Sequence, residues 1–168
     1  LFALLGFGSV LLTGGIGLLE LDAQWLAVKE AAIPGIIGLV VLGSVALRRP
    51  LIKLVLYNPK LFDTQKIGEI LQQRGHTETF DVRLRNATYL LSSTFFFSAV
   101  MNYLLASWIV TSPSGSEAFN EELGRLTLLS YPVIAIPSMI MMFLIAWFLW
   151  RSAHNLTGLQ LEEMLAPE

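Results

Sequence analysis

Long runs without charge dominate the pattern of hydrophobic and polar positions along the chain. A hydrocarbon core about 30 Å thick takes roughly 20 residues of helix, because each residue rises about 1.5 Å. A soluble amphipathic helix would interrupt such runs with a charge every few positions. The second run is uncharged only over residues 31–47, so we extend it toward the N-terminus. The pattern predicts transmembrane helices at about residues 1–19, 28–47, 89–110 and 126–150.

The fold class follows from these four predicted spans. Backbone polar groups in lipid must be satisfied within helices or closed barrels, and the runs have the length of helices. We therefore expect an all-α protein, a polytopic transmembrane helical bundle, in which residues 1–168 form a single membrane domain. The chain begins at Leu1 inside an apolar run, so we expect further sequence upstream.

Two prolines lie inside the last predicted span. Pro132 and Pro137 are five residues apart, and each removes one backbone donor from the helix. We therefore predict a kinked last helix with Pro132 and Pro137 as a candidate hinge. Plain helix shape is the alternative interpretation, because neighbouring groups in membrane proteins satisfy the freed carbonyls.

The charges between the spans are sorted by sign. Segment 48–88 contains eight of the eleven lysines and arginines and has a net charge of +4, whereas segments 20–30 and 111–125 each carry −2. Because basic segments resist translocation, we place 48–88 in the cytoplasm, both acidic turns outside and both chain ends in the cytoplasm. Short apolar and amphipathic patterns within 48–88 predict interfacial helices in this loop.

Three basic residues follow the second predicted span within a few positions. Arg48, Arg49 and Lys53 would lie near the head groups of the cytoplasmic leaflet. Each basic residue near an anionic lipid surface contributes up to about 1 kcal/mol. These residues are candidate lipid head-group contacts, and a role in fixing topology alone is the alternative.

Polar residues recur every four positions in the third predicted span. Thr94, Ser98 and Asn102 share one helix face, and Asn102 is the costliest of them to place in hydrocarbon. An amide in that position needs a partner on another helix or in a wet cavity. The three residues are a candidate intramembrane polar site, with ordinary interhelical hydrogen bonding as the alternative.

Composition gives little sign of chemistry. The chain is 54% hydrophobic and 14% charged, which favours lipid over water as its main solvent, and its net charge of −2 gives no support for nucleic-acid binding. Zero cysteines exclude disulfides and thiolate metal sites, and His76 and His154 are isolated. Phosphate loops, nucleophile elbows and dinucleotide fingerprints are missing. We predict no enzymatic activity, no catalytic residue, no metal site and no cofactor.

Several short motifs occur in a fixed order along the chain. They are Gly14-Gly15-Ile16-Gly17-Leu18 with Asp22, Trp25 and Lys29; Arg48-Arg49-Pro50-Leu51-Ile52; Phe96-Phe97, Asn102-Tyr103 and Trp108; and Phe119-Asn120, Gly124 and Thr127. In this order they resemble the bacterial intracellular septation protein A family, the inner membrane-spanning proteins, or a looser relative, over roughly residues 10–130. The resemblance implies a multi-pass protein of the bacterial cytoplasmic (inner) membrane with a role in cell envelope maintenance or septation. It implies no established reaction.

Three functional hypotheses remain open. The first is a non-enzymatic membrane protein whose partners are membrane lipids, other membrane proteins or a second copy of itself. Small residues in the first two predicted spans fit either ordinary helix packing or a homodimer contact. The second is a small transporter or lipid-handling protein with a polar cavity lined by Thr94, Ser98, Asn102 and the predicted kink from Pro132 to Pro137. The third is an accessory subunit of a larger membrane complex.

Overall fold

Residues 23–55, 59 and 61–166 are the part of the chain that the computed structural model describes. The regular structure in these ranges is helical, and Phe62 and Leu165 form one isolated antiparallel bridge. The elements are α1 (Ala23–Ala46), α2 (Ile52–Val55), α3 (Thr64–Gln73), α4 (Thr77–Ile109), α5 (Glu117–Ser130), a π-helical turn (Tyr131–Ala135), α6 (Ile136–Thr157) and α7 (Leu161–Met164). The first predicted span, residues 1–19, lies outside the described residues.

Three helical stretches are long and apolar enough to cross a membrane. They are Gln24–Ala46, Thr77–Ile109 and Glu117–Thr157. The first two match the predicted spans 28–47 and 89–110 except for the last residue of each, and the third contains the predicted span 126–150. The all-helical prediction is therefore confirmed for the described residues. Large apolar side chains on these helices are exposed, including Leu39 at 59%, Met139 at 70% and Phe143 at 73%. Apolar surface of this extent suits a lipid environment better than water.

Helix α4 is longer than the span predicted within it. Its 33 residues extend for about 50 Å, well beyond a hydrocarbon core of about 30 Å. Residues 77–88, which we assigned to the cytoplasmic loop, form its first three turns. The break before α4 lies at Gly75, whose φ of 69° is left-handed, while the His76 N–H donates to the Leu71 carbonyl at 2.8 Å. This arrangement ends α3 and lets a new helix start at once.

The two prolines of the last span lie in and just after the π-helical turn. The Ile136 N–H donates to the Tyr131 carbonyl, five residues back instead of four. Pro132 lies in the turn and Pro137 follows it by two residues. A proline ring crowds the carbonyl four residues earlier and offers no donor to it, so a wider turn relieves the conflict. Helical structure continues on both sides, from Glu117 to Thr157.

One compact unit contains residues 23–38 and 94–140 of the described chain. Its apolar core joins side chains of α1, α4, α5 and the π-helical turn. The buried members are Leu26, Ala27, Leu105, Ala106, Val110, Phe119, Leu126 and Ile134. Glycines allow α1 to approach α4 closely, because a Cβ placed at Gly38 would lie only 3.2 Å from the Cβ of Phe95. Close backbone approach of this kind is typical of helices that associate in lipid.

The turn between α4 and α5 is held by one carboxylate. The Glu122 carboxylate accepts from the backbone N–H groups of Thr111 and Ser112, both at 2.9 Å, and from the Ser112 hydroxyl at 2.9 Å. Ser116 caps α5, since its hydroxyl accepts from the Phe119 N–H at 3.1 Å. These bonds satisfy backbone donors that would otherwise be left open at the helix ends.

The second compact unit contains residues 39–93 and 141–166 of the described chain. The segments before α3 and after α7 pair by backbone bonds, in which Asp63 N–H donates to the Met164 carbonyl at 2.8 Å and Ala166 N–H to the Leu61 carbonyl at 3.1 Å. Met164 is fully buried beside this pairing. The chain's described C-terminal end is thereby fixed to the segment that precedes α3.

Candidate functional site

The polar face predicted on α4 is present, but its hydrogen bonds stay within the helix. The side-chain amide of Asn102 donates to the Ser98 carbonyl at 2.8 Å and to the Ser98 hydroxyl at 3.2 Å. The amide oxygen of Asn102 has no hydrogen-bond partner among the residues described. Half of this side chain's bonding capacity is therefore satisfied by its own turn, and the acceptor remains open.

Ser98 and Asn102 line a cavity of about 670 Å³ in the first unit. Thr94 is buried at 6% exposure and is not part of its wall. Other polar side chains reach the cavity from α1, α5, the π-helical turn and α6. They are Lys29, Glu30, Thr127, Ser130, Tyr131 and Ser138. Leu26, Leu123, Leu126 and Ile134 supply apolar wall, so the cavity presents polar and apolar surface together.

Lys29 is a cavity residue that the sequence pattern did not single out. Its charge counts in the acidic segment 20–30, and it also falls at the start of the predicted span 28–47. In the structure it lies in the second turn of α1 and is only 8% exposed. Its ammonium group is 2.6 Å from a carboxylate oxygen of Glu30. The sequence feature that indicates this helical position is the shortness of the uncharged run 31–47. A helix long enough to span the membrane has to extend over Lys29 and Glu30.

Ser138 adds an unused hydroxyl to the same wall. Its Oγ is buried and has no hydrogen-bond partner in the described part of the chain. Ser130, by contrast, donates to the Leu126 carbonyl at 2.8 Å, as serines in helices often do. The candidate hinge residues Pro132 and Pro137 stand next to cavity residues Tyr131 and Ser138. The altered backbone therefore borders the polar cavity.

A basic pocket of about 400 Å³ lies in the second unit. It is lined by Arg48, Lys53, Arg85, Asp81, Val45 and Pro50. The Lys53 ammonium lies 3.2 Å from an Asp81 carboxylate oxygen. The wall thus carries three cations and one anion. Of the three predicted head-group contacts, Arg48 and Lys53 are brought together here and Arg49 is not in the wall. Arg85 joins them from α4, a neighbour that spacing along the sequence could not reveal.

The turn after α1 orients part of this pocket. Arg48 has a φ of 57°, an uncommon value for a residue with a side chain. The Ser44 hydroxyl accepts from the Leu51 N–H at 3.1 Å and donates to the Val41 carbonyl at 2.6 Å. These bonds tie the chain beyond Arg48 back to the last turns of α1. The pocket is thus built on a defined backbone and can attract anionic groups.

The residues of both sites offer hydrogen bonding and charge, which suits binding. Within residues 23–55, 59 and 61–166, no group of three or more His, Cys, Asp or Glu side chains is placed to hold a metal ion. Comparisons with models of protein families, with curated proteins and with solved structures found no match.

Proposed function

We propose that this chain is a non-enzymatic integral protein of the bacterial cytoplasmic membrane that acts through lipid or protein partners. The observation that carries the proposal is the combination of three long apolar helices, rich in exposed apolar side chains, with a basic pocket at Arg48, Lys53 and Arg85. The motif order supports a role in cell envelope maintenance or septation. An accessory subunit of a membrane complex is one form this role can take.

The proposed topology has four spans with both chain ends in the cytoplasm. The first is the apolar run 1–19 predicted from the sequence, and we propose that the last one bends at the turn containing Pro132. The excess of basic residues between α1 and the apolar part of α4 supports the cytoplasmic placement of that region. In this arrangement the acidic segment 111–125, which includes the first turns of α5, faces the periplasm.

Single cysteines test the topology directly, because the natural chain has none. Ala118→Cys and Gln73→Cys place one thiol at an exposed position on each side. We expect an impermeant thiol reagent to label position 118 in intact cells and position 73 only after the membrane is opened. Labelling in the reverse order would contradict the orientation, and labelling of both positions in intact cells would contradict the cytoplasmic placement of segment 48–88.

The partner-based role is tested with the purified full chain. We expect a stoichiometric membrane protein or a defined lipid to remain bound after gentle detergent extraction. Substrate flux by the purified chain alone in proteoliposomes would contradict the proposal and favour transport.

A second candidate is a small transporter or lipid-handling protein. The 670 Å³ cavity supports it, because a buried Lys29, an open Asn102 acceptor and an unused Ser138 hydroxyl face one space. If the chain carries a solute, Asn102→Leu should abolish flux. The matched control is Ser93→Ala, since Ser93 is an exposed polar residue of α4 that does not line the cavity. Equal flux in both variants would contradict a role for the cavity.

A further inference from the structure

Two arginines line a cavity of about 310 Å³ in the second unit. Arg83 comes from the first half of α4 and Arg151 from the last half of α6. Trp147, Phe148 and Leu156 provide most of the apolar wall. Neither arginine is part of the basic pocket described above. The cavity therefore combines two cations with a surface that can hold hydrocarbon.

Each guanidinium lies over an aromatic ring. The Cζ of Arg83 is 5.9 Å from the centroid of the Phe148 ring, and the Cζ of Arg151 is 5.5 Å from a Trp147 ring centroid. A ring face stabilises the cation and restricts its orientation. The planar group keeps its N–H edge available for hydrogen bonds. Both arginines are thus partly oriented before any ligand arrives.

Neither arginine is neutralised by an acidic partner. Over the described ranges, the ion pairs join Lys29 with Glu30 and Lys53 with Asp81, and Arg83 and Arg151 take part in none. Two oriented cations without a carboxylate create a local preference for an anion. An anion that binds here does not have to displace a side chain of the protein.

The shape and chemistry of the wall favour a phospholipid. A guanidinium edge matches two oxygens of a phosphate, and the exposed amide of Asn155 offers a neutral donor beside them. Trp147 and Leu156 can pack against the glycerol and the start of an acyl chain, as aromatic residues do at membrane interfaces. Free phosphate would use the arginines and leave this apolar wall uncovered.

We propose that Arg83 and Arg151 bind the phosphodiester head group of an anionic phospholipid. The proposal rests on the proposed function, since a chain in the membrane meets such lipids in its own leaflet. It adds a specific site to the general attraction expected of the basic segment. The selectivity comes from charge at the head group, and the stacked rings hold the two arginines in place.

The test uses the full chain in detergent and native mass spectrometry with two added lipids. Dioleoylphosphatidylglycerol is the anionic probe and dioleoylphosphatidylcholine is the zwitterionic one. We expect the phosphatidylglycerol affinity to fall about tenfold in Arg83→Gln/Arg151→Gln, since each exposed charge contact contributes a few-fold. Arg125→Gln removes an exposed arginine from the other compact unit and should leave the affinity unchanged.

A charge-preserving pair guards against damage to the fold. Arg83→Lys/Arg151→Lys keeps both cations and should retain more phosphatidylglycerol than the glutamine pair. Equal loss in both pairs would overturn the proposal, as would equal binding of the two lipids by the natural chain. Displacement of the bound lipid by inorganic phosphate at similar concentration would also overturn it, because it would assign the site to free phosphate.

Failure of the lipid test is distinguishable from failure of the proposed function. Membrane integration is measured separately, by whether the natural chain stays in the membrane fraction after alkaline carbonate washing. Retention there combined with unselective lipid binding would overturn only the two-arginine site. Release into the wash would overturn the membrane proposal itself.

Discussion

Gly38 allows a close contact between α1 and α4, and a series of glycine substitutions tests it. A Cβ at this buried position would lie 3.2 Å from the Phe95 Cβ. At Gly35 the added atom would lie 3.8 Å from the Ala99 Cβ, an ordinary contact. At Gly43, which is exposed, the described residues place nothing within 4 Å of it. Alanine at the three positions therefore adds the same methyl group to a tight, a filled and an open environment.

The size of the effect follows from the distances. Carbon atoms pack best at about 3.5–4.0 Å, and the Phe95 Cβ is fixed to its own backbone, so it cannot rotate away. Overpacking costs about 1–3 kcal/mol, and it applies at Gly38 alone. Replacing glycine by alanine within a helix contributes about 0.5–1 kcal/mol of stability at all three sites. The shared gain cancels when the free energies of unfolding of Gly38→Ala and Gly43→Ala are compared. We therefore expect Gly38→Ala to be less stable than Gly43→Ala by about 1–3 kcal/mol.

The assay is the free energy of unfolding of each variant in the same detergent, followed by far-ultraviolet circular dichroism during denaturant titration. Gly35→Ala and Gly43→Ala should match or exceed the parent, and Gly38→Ala should fall below both. Equal stability of the alanine variants at 38 and 43 would refute the close approach. A gain for Gly38→Ala would refute it more strongly, because it would show spare room between the helices.

Two further substitutions test backbone features elsewhere in the chain. Gly158→Ala should lower the free energy of unfolding by about 1–2 kcal/mol because its φ of 75° is left-handed. The loss of stability should exceed that of Gly75→Ala, since Arg74 packs against a Cβ added at position 158 and nothing described lies within 4 Å of one added at position 75. Equal losses would show that the Arg74 contact does not affect stability. Glu122→Gln should speed hydrogen exchange at the amides of Thr111 and Ser112, because a neutral amide is a weaker acceptor than a carboxylate. Unchanged exchange rates would contradict the role of the Glu122 carboxylate in holding this turn.

The long helices could be predicted because a long run of residues without charge is typical of a helix that spans a membrane. The runs at 28–47, 89–110 and 126–150 each lie within or very near a helix of the structure. The helix ends were not predictable in the same way. Residues 77–88 are rich in polar side chains, and such a pattern fits a loop as well as an exposed helix that continues beyond the lipid.

The sequence indicated which residues could form the candidate sites, but it did not indicate which residues lie next to one another. A spacing of four placed Ser98 and Asn102 on one face, and the structure brings both to the same cavity. The partner of an amide depends on which helix lies opposite, and Asn102 instead donates to its own helix. Likewise, nothing in the order of the chain indicates that Arg85 joins Arg48 in a pocket.

Lys29 shows why position along the chain is a poor guide to the environment of a charge. Counted as part of segment 20–30, Lys29 only makes the net charge of that acidic segment less negative. Within α1 it is 8% exposed, and a charge at such depth is retained only with a partner close by. Glu30 supplies one at 2.6 Å, although adjacent residues project to different sides of a helix and long side chains must bend to meet. A pair that serves only to solubilise a turn would lie in water, whereas Lys29 and Glu30 both line the cavity that Asn102 also lines.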